Sequence, residues 1–369
     1  MFKKKKFYLG LVISIIVALL LSACSGGNKE EATEGNKENS DTGKVVIGVY
    51  GGDWEKNIRP SIEKFQEETG IKVEVVAGAD AEWFTKLKAS NGKNPQYDLL
   101  ILQPDTIERA VSAGLLQSLD AEKVPNLADL YASVQDKLTF DGQQYAAGFS
   151  MGQLGLAYRK DLVPVEPTKW TDLWNEEYKG HVAISSPSYS AGLQFFSGLI
   201  NAQGGQESNP ANVDAAFESL KELRDSIVAY PDNPGTIQTL LERGEAWIVP
   251  FWDGRIFALQ DAGMDLGFVY PEEGAVAAAA SWAVTKGSPN ENNAYKLLDY
   301  LISPEVQKDF SDKSFYGMTN KNVEYSDTLK EKIRIGEEEY SELKWVDYKT
   351  ATPLLTDWTN RWTQELGGN

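Results

Sequence analysis

Gly148-Phe149-Ser150-Met151-Gly152 has the G-x-S-x-G spacing of a nucleophile elbow, in which a sharp strand-to-helix turn lifts a serine toward a base and an orienting acid. The base is missing. His181 is the only histidine and follows the serine closely, whereas elbow chemistry places the acid and then the histidine far downstream. Ser150 is therefore read as non-catalytic, with the glycines marking a bend where the chain passes between two bodies. One histidine and one cysteine cannot supply the usual zinc or copper ligands. The run Glu337-Glu338-Glu339 lacks the spaced oxygens and central glycine of a calcium loop, and the adjacent tyrosines that would suggest an iron site are absent. No cofactor, no metal and no enzymatic activity are expected.

Two other groups suit non-covalent chemistry. Ser185-Ser186-Pro187-Ser188-Tyr189-Ser190 joins an expected strand to an expected helix. Serines there cap the helix, and exposed amides at its start, with the helix dipole, favour a carboxylate, phosphate or sulfonate. The aromatic residues Trp54, Trp83, Trp252, Trp282 and Tyr316 fall at or near expected loops and strand ends rather than inside apolar runs. Trp252 stands beside Asp253 and Arg255. Aromatic walls with a few directional polar groups are how small-molecule clefts are lined, and an indole face also accepts cations.

The one cysteine, Cys24, ends a segment made of Lys3 to Lys6, an apolar stretch and small residues, the order of a secretory signal. Leu21-Ser22-Ala23-Cys24 resembles the lipobox of bacterial lipoproteins, so residues 1–23 are expected to be removed and Cys24 to carry lipid. A plain membrane-spanning anchor is the alternative. Residues 24–44 hold almost no apolar side chains and are expected to form a disordered tether reaching roughly 25 Å. Loss of the four lysines takes the formal charge from −18 to about −22, which disfavours nucleic acid as a partner. The remaining body of roughly 325 residues exceeds what one core organises, so two lobes are expected.

The elements that must position these groups alternate. Strand, loop and helix follow one another through residue 70, a strand covers 71–78, a helix follows from 81, and the apolar "YDLLILQP" is a strand running into another helix. Such alternation implies a parallel sheet flanked by helices, with ligands gathering at the carboxyl ends of its strands. Farther on, "YAAGFSMGQLGLAYRKDLV" reads as extended and "TKWTDLWNEEYKGHVAIS" as helix, turn and strand. The stretch "ERGEAWIVPFWDGRIFALQDAG" reads as strand, loop and helix, and two strands flank "PEEG". An amphipathic helix pair then precedes a mostly helical, acidic tail from Val323.

"FQEETGIKVEV", "YDLLI", "WTDLWNEEYKGHVAI", "FWDGRIFALQDAG", "YPEEGAVAAAASWAVTKGSPNENNAYKLLDYLISPEVQ" and "FYGMTNKNV", in this order, resemble the extracellular solute-binding proteins of ABC importers, specifically the group around spermidine/putrescine-binding proteins. The resemblance covers about residues 44–366. It implies an α/β, two-lobed, type II periplasmic-binding-protein-like fold, each lobe a mixed, mostly parallel sheet flanked by helices, with two crossing strands as hinge. It implies residues 45–149 plus 275–318 as lobe 1 and 150–274 plus 319–369 as lobe 2. It implies a monomer, lipid-anchored through Cys24 to the outer face of the cell membrane, that traps a small molecule between its lobes and delivers it to a permease with its ATPase.

Carried over position by position, the resemblance puts ligand contacts at Gly52, Asp53 and Trp54, at Gln103 and Asp105, at Ser185, Ser186, Ser188, Tyr189 and Ser190, at Trp252 and Asp253, and at Ser281 and Tyr316. Two departures stand out. Polyamine binders show a tryptophan and an acid just before a serine in the returning strand, where this chain has Ala278-Ala279-Ala280-Ser281. They show acids in the second lobe's first turn, where this chain has serines. An ammonium buried without a carboxylate costs several kcal/mol. The expected ligand is therefore an amine-containing zwitterion or organic acid, with Asp53, Asp105 or Asp253 holding the amine; a polyamine is the alternative. A glycoside hydrolase using two carboxylates is a distant one, and a sensor or adhesin would differ only in its partner.

Overall fold

The structure is a computed structural model that describes residues 43–367. The expected leader, the lipidated Cys24 and most of the tether lie outside the described residues. From residue 44 the chain alternates: β1 (Lys44–Tyr50), α1 (Asp53–Thr69), β2 (Lys72–Gly78), α2 (Asp80–Ser90), β3 (Leu99–Leu102) and α3 (Pro104–Ser112). β1 buries Val45, Ile47 and Val49 at alternate positions. β3 is buried throughout and lies inside the sheet, paired in parallel with β1 on one edge and with a later, antiparallel strand on the other.

A short α4 (Ala132–Gln135) and the two-residue strands β4 (Thr139–Phe140) and β5 (Gln143–Gln144) lead into β6 (Ala147–Arg159). Next come β7 (Val182–Ala183), α5 (Ser190–Ala202), α6 (Pro210–Leu223), β8 (Ile227–Ala229), α7 (Pro234–Glu242), β9 (Ile248–Trp252), α8 (Asp253–Asp261) and β10 (Leu266–Val269). The chain returns through β11 (Val276–Val284), α9 (Glu291–Leu301), α10 (Pro304–Ser314) and β12 (Gly317–Met318), and ends in α11 (Asp327–Lys332), α12 (Glu337–Glu342) and α13 (Tyr348–Leu366).

Pairing runs without a break in the order β2-β1-β3-β11-β6-β9-β7-β8. Both ends of this order are parallel and its middle, β3 to β9, is antiparallel. The expected sheets of the two lobes are joined through the crossing strands into one continuous sheet. The reason is β6, whose 13 residues extend roughly 40 Å and serve two cores. Its Ala147, Phe149 and Met151 belong to the first core and its Leu154, Leu156, Ala157 and Tyr158 to the second. β11 makes the same crossing between Val276 and Ala277, paired with Leu154 and Gln153.

Several local expectations change. The G-x-S-x-G stretch lies inside β6 with Ser150 buried, so it is no strand-to-helix turn; the register against β11 slips there, leaving a β-bulge in place of the expected bend. The expected helix in "TKWTDLWNEEY" is two 3-10 turns, Trp170–Trp174 and Glu176–Tyr178, closed by Asp172, which accepts from the backbone N–H groups of Thr168 (2.6 Å) and Lys169 (3.0 Å). No loop separates β9 from α8. β10 and β11 do not pair with each other but lie end to end along the same edge of β6.

The tail also divides differently. Val323, Tyr325, Leu329, Ile333 and Tyr340 join the first core, and Val346 onward joins the second, where residues 319–369 were all expected. A third segment, residues 341–345, therefore crosses between the cores beside the two strands, held by Lys344, whose carbonyl accepts from Ala277 and whose N–H donates to Ala275.

Candidate functional site

Five helices begin where strands end, and their first turns meet between the two cores: α1 after β1, α2 after β2, α3 after β3, α5 after β7 and α8 after β9. This is the crevice at the carboxyl ends of parallel strands. Gly52 makes the turn into α1 with φ 71°, a left-handed conformation that glycine adopts without strain. Asp53 follows, exposed, and lines a cavity of about 170 Å³ with Lys56, Asn57, Arg255, Lys313 and Tyr316. That is smaller than the volumes of drug-sized sites and suits a small solute.

Trp54 is not the open wall its loop position suggested. It packs against Tyr50, Phe149, Trp282 and Phe310 at ring separations of 4.8 to 5.9 Å, and only an edge reaches the cavity. Trp83 and Trp282 are fully buried too. Small neighbours hide them: the Trp83 indole lies over Gly48 and Gly78, where added methyl groups would approach it to 3.0 and 2.7 Å. Of the expected aromatic walls, Trp252 and Tyr316 remain.

Tyr316 is packed between two glycines. A Cβ on Gly152 would lie 2.7 Å from its ring and one on Gly254 would lie 2.5 Å from it, so β6 and α8 together form its seat. Burial pushes its hydroxyl up to about 12, against the pull of the nearby Arg255 guanidinium. Trp252 stacks on Phe251 and meets the edge of Tyr189, and its indole N–H donates to Gln194 Oε1 at 2.7 Å.

Asp253 was expected to hold an amine, and the geometry turns it inward. It is 1% exposed and accepts from the backbone N–H of Gln153 (3.1 Å), the backbone N–H of Gly254 (2.7 Å) and the Tyr270 hydroxyl (3.1 Å). Burial still raises its pKa to about 7. Its acceptors are committed to bracing β6, α8 and the β10–β11 loop.

Besides Asp53, the acids that face the crevice are Asp105 and an unexpected partner, Asp80. Both are half-buried at helix starts; Asp80 accepts from the Gln103 backbone N–H at 2.9 Å, and Asp105 pairs with Arg109 at 3.2 Å. Burial first, and then the Asp105 charge, raise the Asp80 pKa; burial also raises that of Asp105, with Arg109 opposing. Tyr50 ends β1 beside them, and desolvation followed by the Asp80 charge raises its hydroxyl pKa. Ser281 sits on β11 opposite Leu102, next to Gln103, and is fully buried.

Across the crevice, Ser185 and Ser186 are buried, Ser188 is exposed and donates to Ser186 Oγ at 3.2 Å, and Ser190 opens α5. The expected serine cap is absent: Tyr189 holds the N-cap position, and no side chain among the described residues bonds the α5 start. Asp105 shares a small gap of about 20 Å³ with Ser188, Ser190 and Tyr348, so the two sides nearly touch. Four polar atoms in this region are buried without a hydrogen bond among the described residues, Ser185 Oγ, Tyr189 OH, Arg255 Nε and Ser281 Oγ, while the Tyr50 hydroxyl lies against the Asp80 carboxylate and the Gln194 amide against the Tyr348 hydroxyl.

Tyr50, Asp80, Gln194 and Tyr348 were not expected. The last residue of β1 and the first of α2 are positions the strand-end rule could have flagged. Gln194 lies inside an apolar helix and Tyr348 arrives from the distant tail, and neither position carries a local signal.

Two cores joined by crossing strands, with helix starts and polar groups facing each other between them, are the architecture of a solute-binding protein. Residues 61–336 match the family model for bacterial extracellular solute-binding proteins, and the chain belongs to that family. It is 27% identical over 277 residues to the spermidine/putrescine-binding periplasmic protein of Escherichia coli, covering 74% of this chain and 77% of that one. Among solved structures it resembles the spermidine/putrescine ABC transporter substrate-binding protein of Streptococcus pneumoniae, with a TM-score of 0.73 and 21% identity over 88% of this chain and 99% of that one. It also resembles the periplasmic binding protein AfuA of Actinobacillus pleuropneumoniae with fructose-6-phosphate bound, with a TM-score of 0.69 and 21% identity over 89% and 99%. The fold is the type II periplasmic-binding fold, and the chain is the substrate-binding component of an ABC importer. The family is one of transport proteins rather than enzymes.

Proposed function

We propose that the chain captures a small solute carrying one amine and one acidic group, holds it between its two lobes and passes it unchanged to a permease. The observation that carries this reading is the set of four buried, unbonded polar atoms on both walls of the crevice, Ser281 Oγ on one and Ser185 Oγ, Tyr189 OH and Arg255 Nε on the other. Leaving such groups dry costs about 1–3 kcal/mol each, a cost that a ligand's own polar groups remove. The two walls also differ in their charges. Asp53, Asp80 and Asp105 stand on one, with Lys56 and Lys313 beside Asp53 and Arg109 paired to Asp105, and Arg255 with the uncapped start of α5 on the other.

A polyamine is the second reading, favoured by the names of the relatives and by the crowding of Asp80 and Asp105, which an ammonium would relieve. Its second ammonium, however, would approach three cations, Arg255, Lys56 and Lys313, against the single carboxylate of Asp53. Titration calorimetry with Arg255→Ala separates the two. Removing a charged hydrogen bond from a zwitterion weakens binding by about tenfold or more, while a polyamine would bind equally well or better. Spermidine or putrescine binding tightly and surviving that change, with no response to amino acids or phosphonates, would overturn the zwitterion reading.

Attachment through a lipid on Cys24 belongs to the same proposal. Its support is the signal-like segment and the lipobox spacing. Membrane fractionation of cells expressing wild type and Cys24→Ser tests it: the variant is expected in the soluble fraction, and retention of both in the membrane would contradict the assignment.

A further inference from the structure

Residues 332–334, which lead toward the third crossing, are fastened to the second lobe before the chain reaches it. β6 changes core between Met151 and Leu154, and Gln153 lies in that passage, 1% exposed. Its backbone N–H donates to Asp253 Oδ1 at 3.1 Å, and its side-chain Nε2 donates to the Arg334 carbonyl oxygen at 3.2 Å. Asp253 opens α8 directly after β9, whose Ile248, Val249 and Phe251 belong to the second core; Arg334 follows Ile333, which belongs to the first. One residue of the hinge therefore holds a part of each lobe.

Tyr270 makes the same connection a second time. It follows β10 directly, and the chain changes core at this step: Val269 packs against the second core and Tyr270 against the first. The Tyr270 hydroxyl donates to Asp253 Oδ2 at 3.1 Å and lies 3.4 Å from the Lys332 carbonyl oxygen, and the Arg334 guanidinium stands 4.4 Å over its ring. Phe268 meets the ring edge-on at 5.0 Å. Asp253, Gln153, the tail and Tyr270 thus form a closed circuit of contacts. Neither Gln153 nor Tyr270 lines the cavity of Asp53 and Arg255.

A contact between bodies that move against each other shifts the balance of their arrangements by its own free energy. Here Asp105 of the first lobe and Ser190 of the second share a gap of only about 20 Å³, so the contact belongs to a nearly closed arrangement. We propose that Tyr270 is a positioning residue for solute capture, a pin that fastens the first-lobe tail to the second lobe beside the hinge and holds the crevice nearly closed before a solute arrives. The proposal rests on the interlobe reading above. Affinity scales with the fraction of chains already in the binding-competent arrangement, so the pin strengthens capture without touching the solute.

Small-angle scattering of the full chain without solute tests the pin. Tyr270→Phe keeps the ring under Arg334 and removes the hydroxyl. It is expected to shift the balance from nearly closed toward open chains by about threefold to tenfold, the effect of one hydrogen bond, read as a larger radius of gyration. Gln153→Met removes the companion tie from Nε2 to the tail and is expected to shift the profile in the same direction. Ser190→Trp, which places an indole in the narrow gap, forces the lobes apart and marks the open profile. A Tyr270→Phe profile that superimposes on wild type while Ser190→Trp expands would overturn the pin and leave interlobe capture standing. Expansion accompanied by loss of helical signal would overturn it too, because Tyr270 would then support the fold of the second lobe. Profiles of wild type, Tyr270→Phe and Ser190→Trp that all superimpose would instead remove the interlobe reading, since lobes that do not part cannot close.

Discussion

Asp253 shows how a charged residue in a binding crevice can serve the scaffold rather than the ligand. Its carboxylate is surrounded by three donors yet its pKa is raised to about 7, because burial penalises the charge more than those bonds reward it. The unfolded chain would titrate it near the ordinary value of about 3.9. Between these values the folded state holds a proton that the unfolded state has lost, so this residue's contribution makes stability fall as pH rises through the window. Asp253→Asn can keep all three contacts, with the Tyr270 hydroxyl turning to accept from the new amide. The variant is expected to melt with a flatter dependence between about pH 4 and pH 7 and to be at least as stable as wild type above it; an unchanged slope would show that Asp253 is not the group responsible. Asp80 has the same direction of shift but faces the crevice, where the proposed amine would sit. Protonating it removes the partner of an ammonium, so amine affinity should rise from acidic to mildly alkaline pH in wild type and lose that rise in Asp80→Asn, as calorimetry at several pH values would show.

At the level of elements, the seat of Tyr316 depends on backbone rather than side chains. Gly254→Ala would place a methyl group 2.5 Å from the ring, and the ring must leave before the helix does. Ligand affinity is expected to drop by about tenfold or more with the far-ultraviolet spectrum and melting point little changed; a large loss of folded protein would mean that Tyr316 supports the hinge instead. The same elements show what periodicity can and cannot reveal. The alternation from β1 to α3 was legible because each strand is an apolar run closed by glycine or proline. The extended reading of β6 and its passage between two bodies were legible too, but not which strands pair along its edges. Position relative to strand ends brings Asp105, Ser185 and Trp252 beside the crevice, where they are proposed contacts. It misjudged Trp54, Trp83 and Trp282, whose rings are buried by glycines and by aromatic partners distant in sequence, a relation that a single stretch does not carry.

For the whole molecule, the two cores are large and the connection between them is thin: β6, β11 and residues 341–345. Such a connection lets the lobes move as bodies, and a solute that touches both favours the closed arrangement by the difference in its contacts. Stability and binding should therefore separate. Trp282→Ala, which empties the aromatic centre of the first core, is expected to cost about 3–5 kcal/mol in urea unfolding, whereas changes confined to the crevice should cost little until ligand is added. The most direct test of capture between lobes is calorimetric titration of one protecting solute against wild type and two single variants, Asp105→Asn from the first lobe and Ser185→Ala from the second. A solute gripped from both sides loses affinity in both variants, with a single site retained. Loss in only one of them, with binding through the other wall untouched, would mean that the solute rests on one lobe and that the lobes do not close around it.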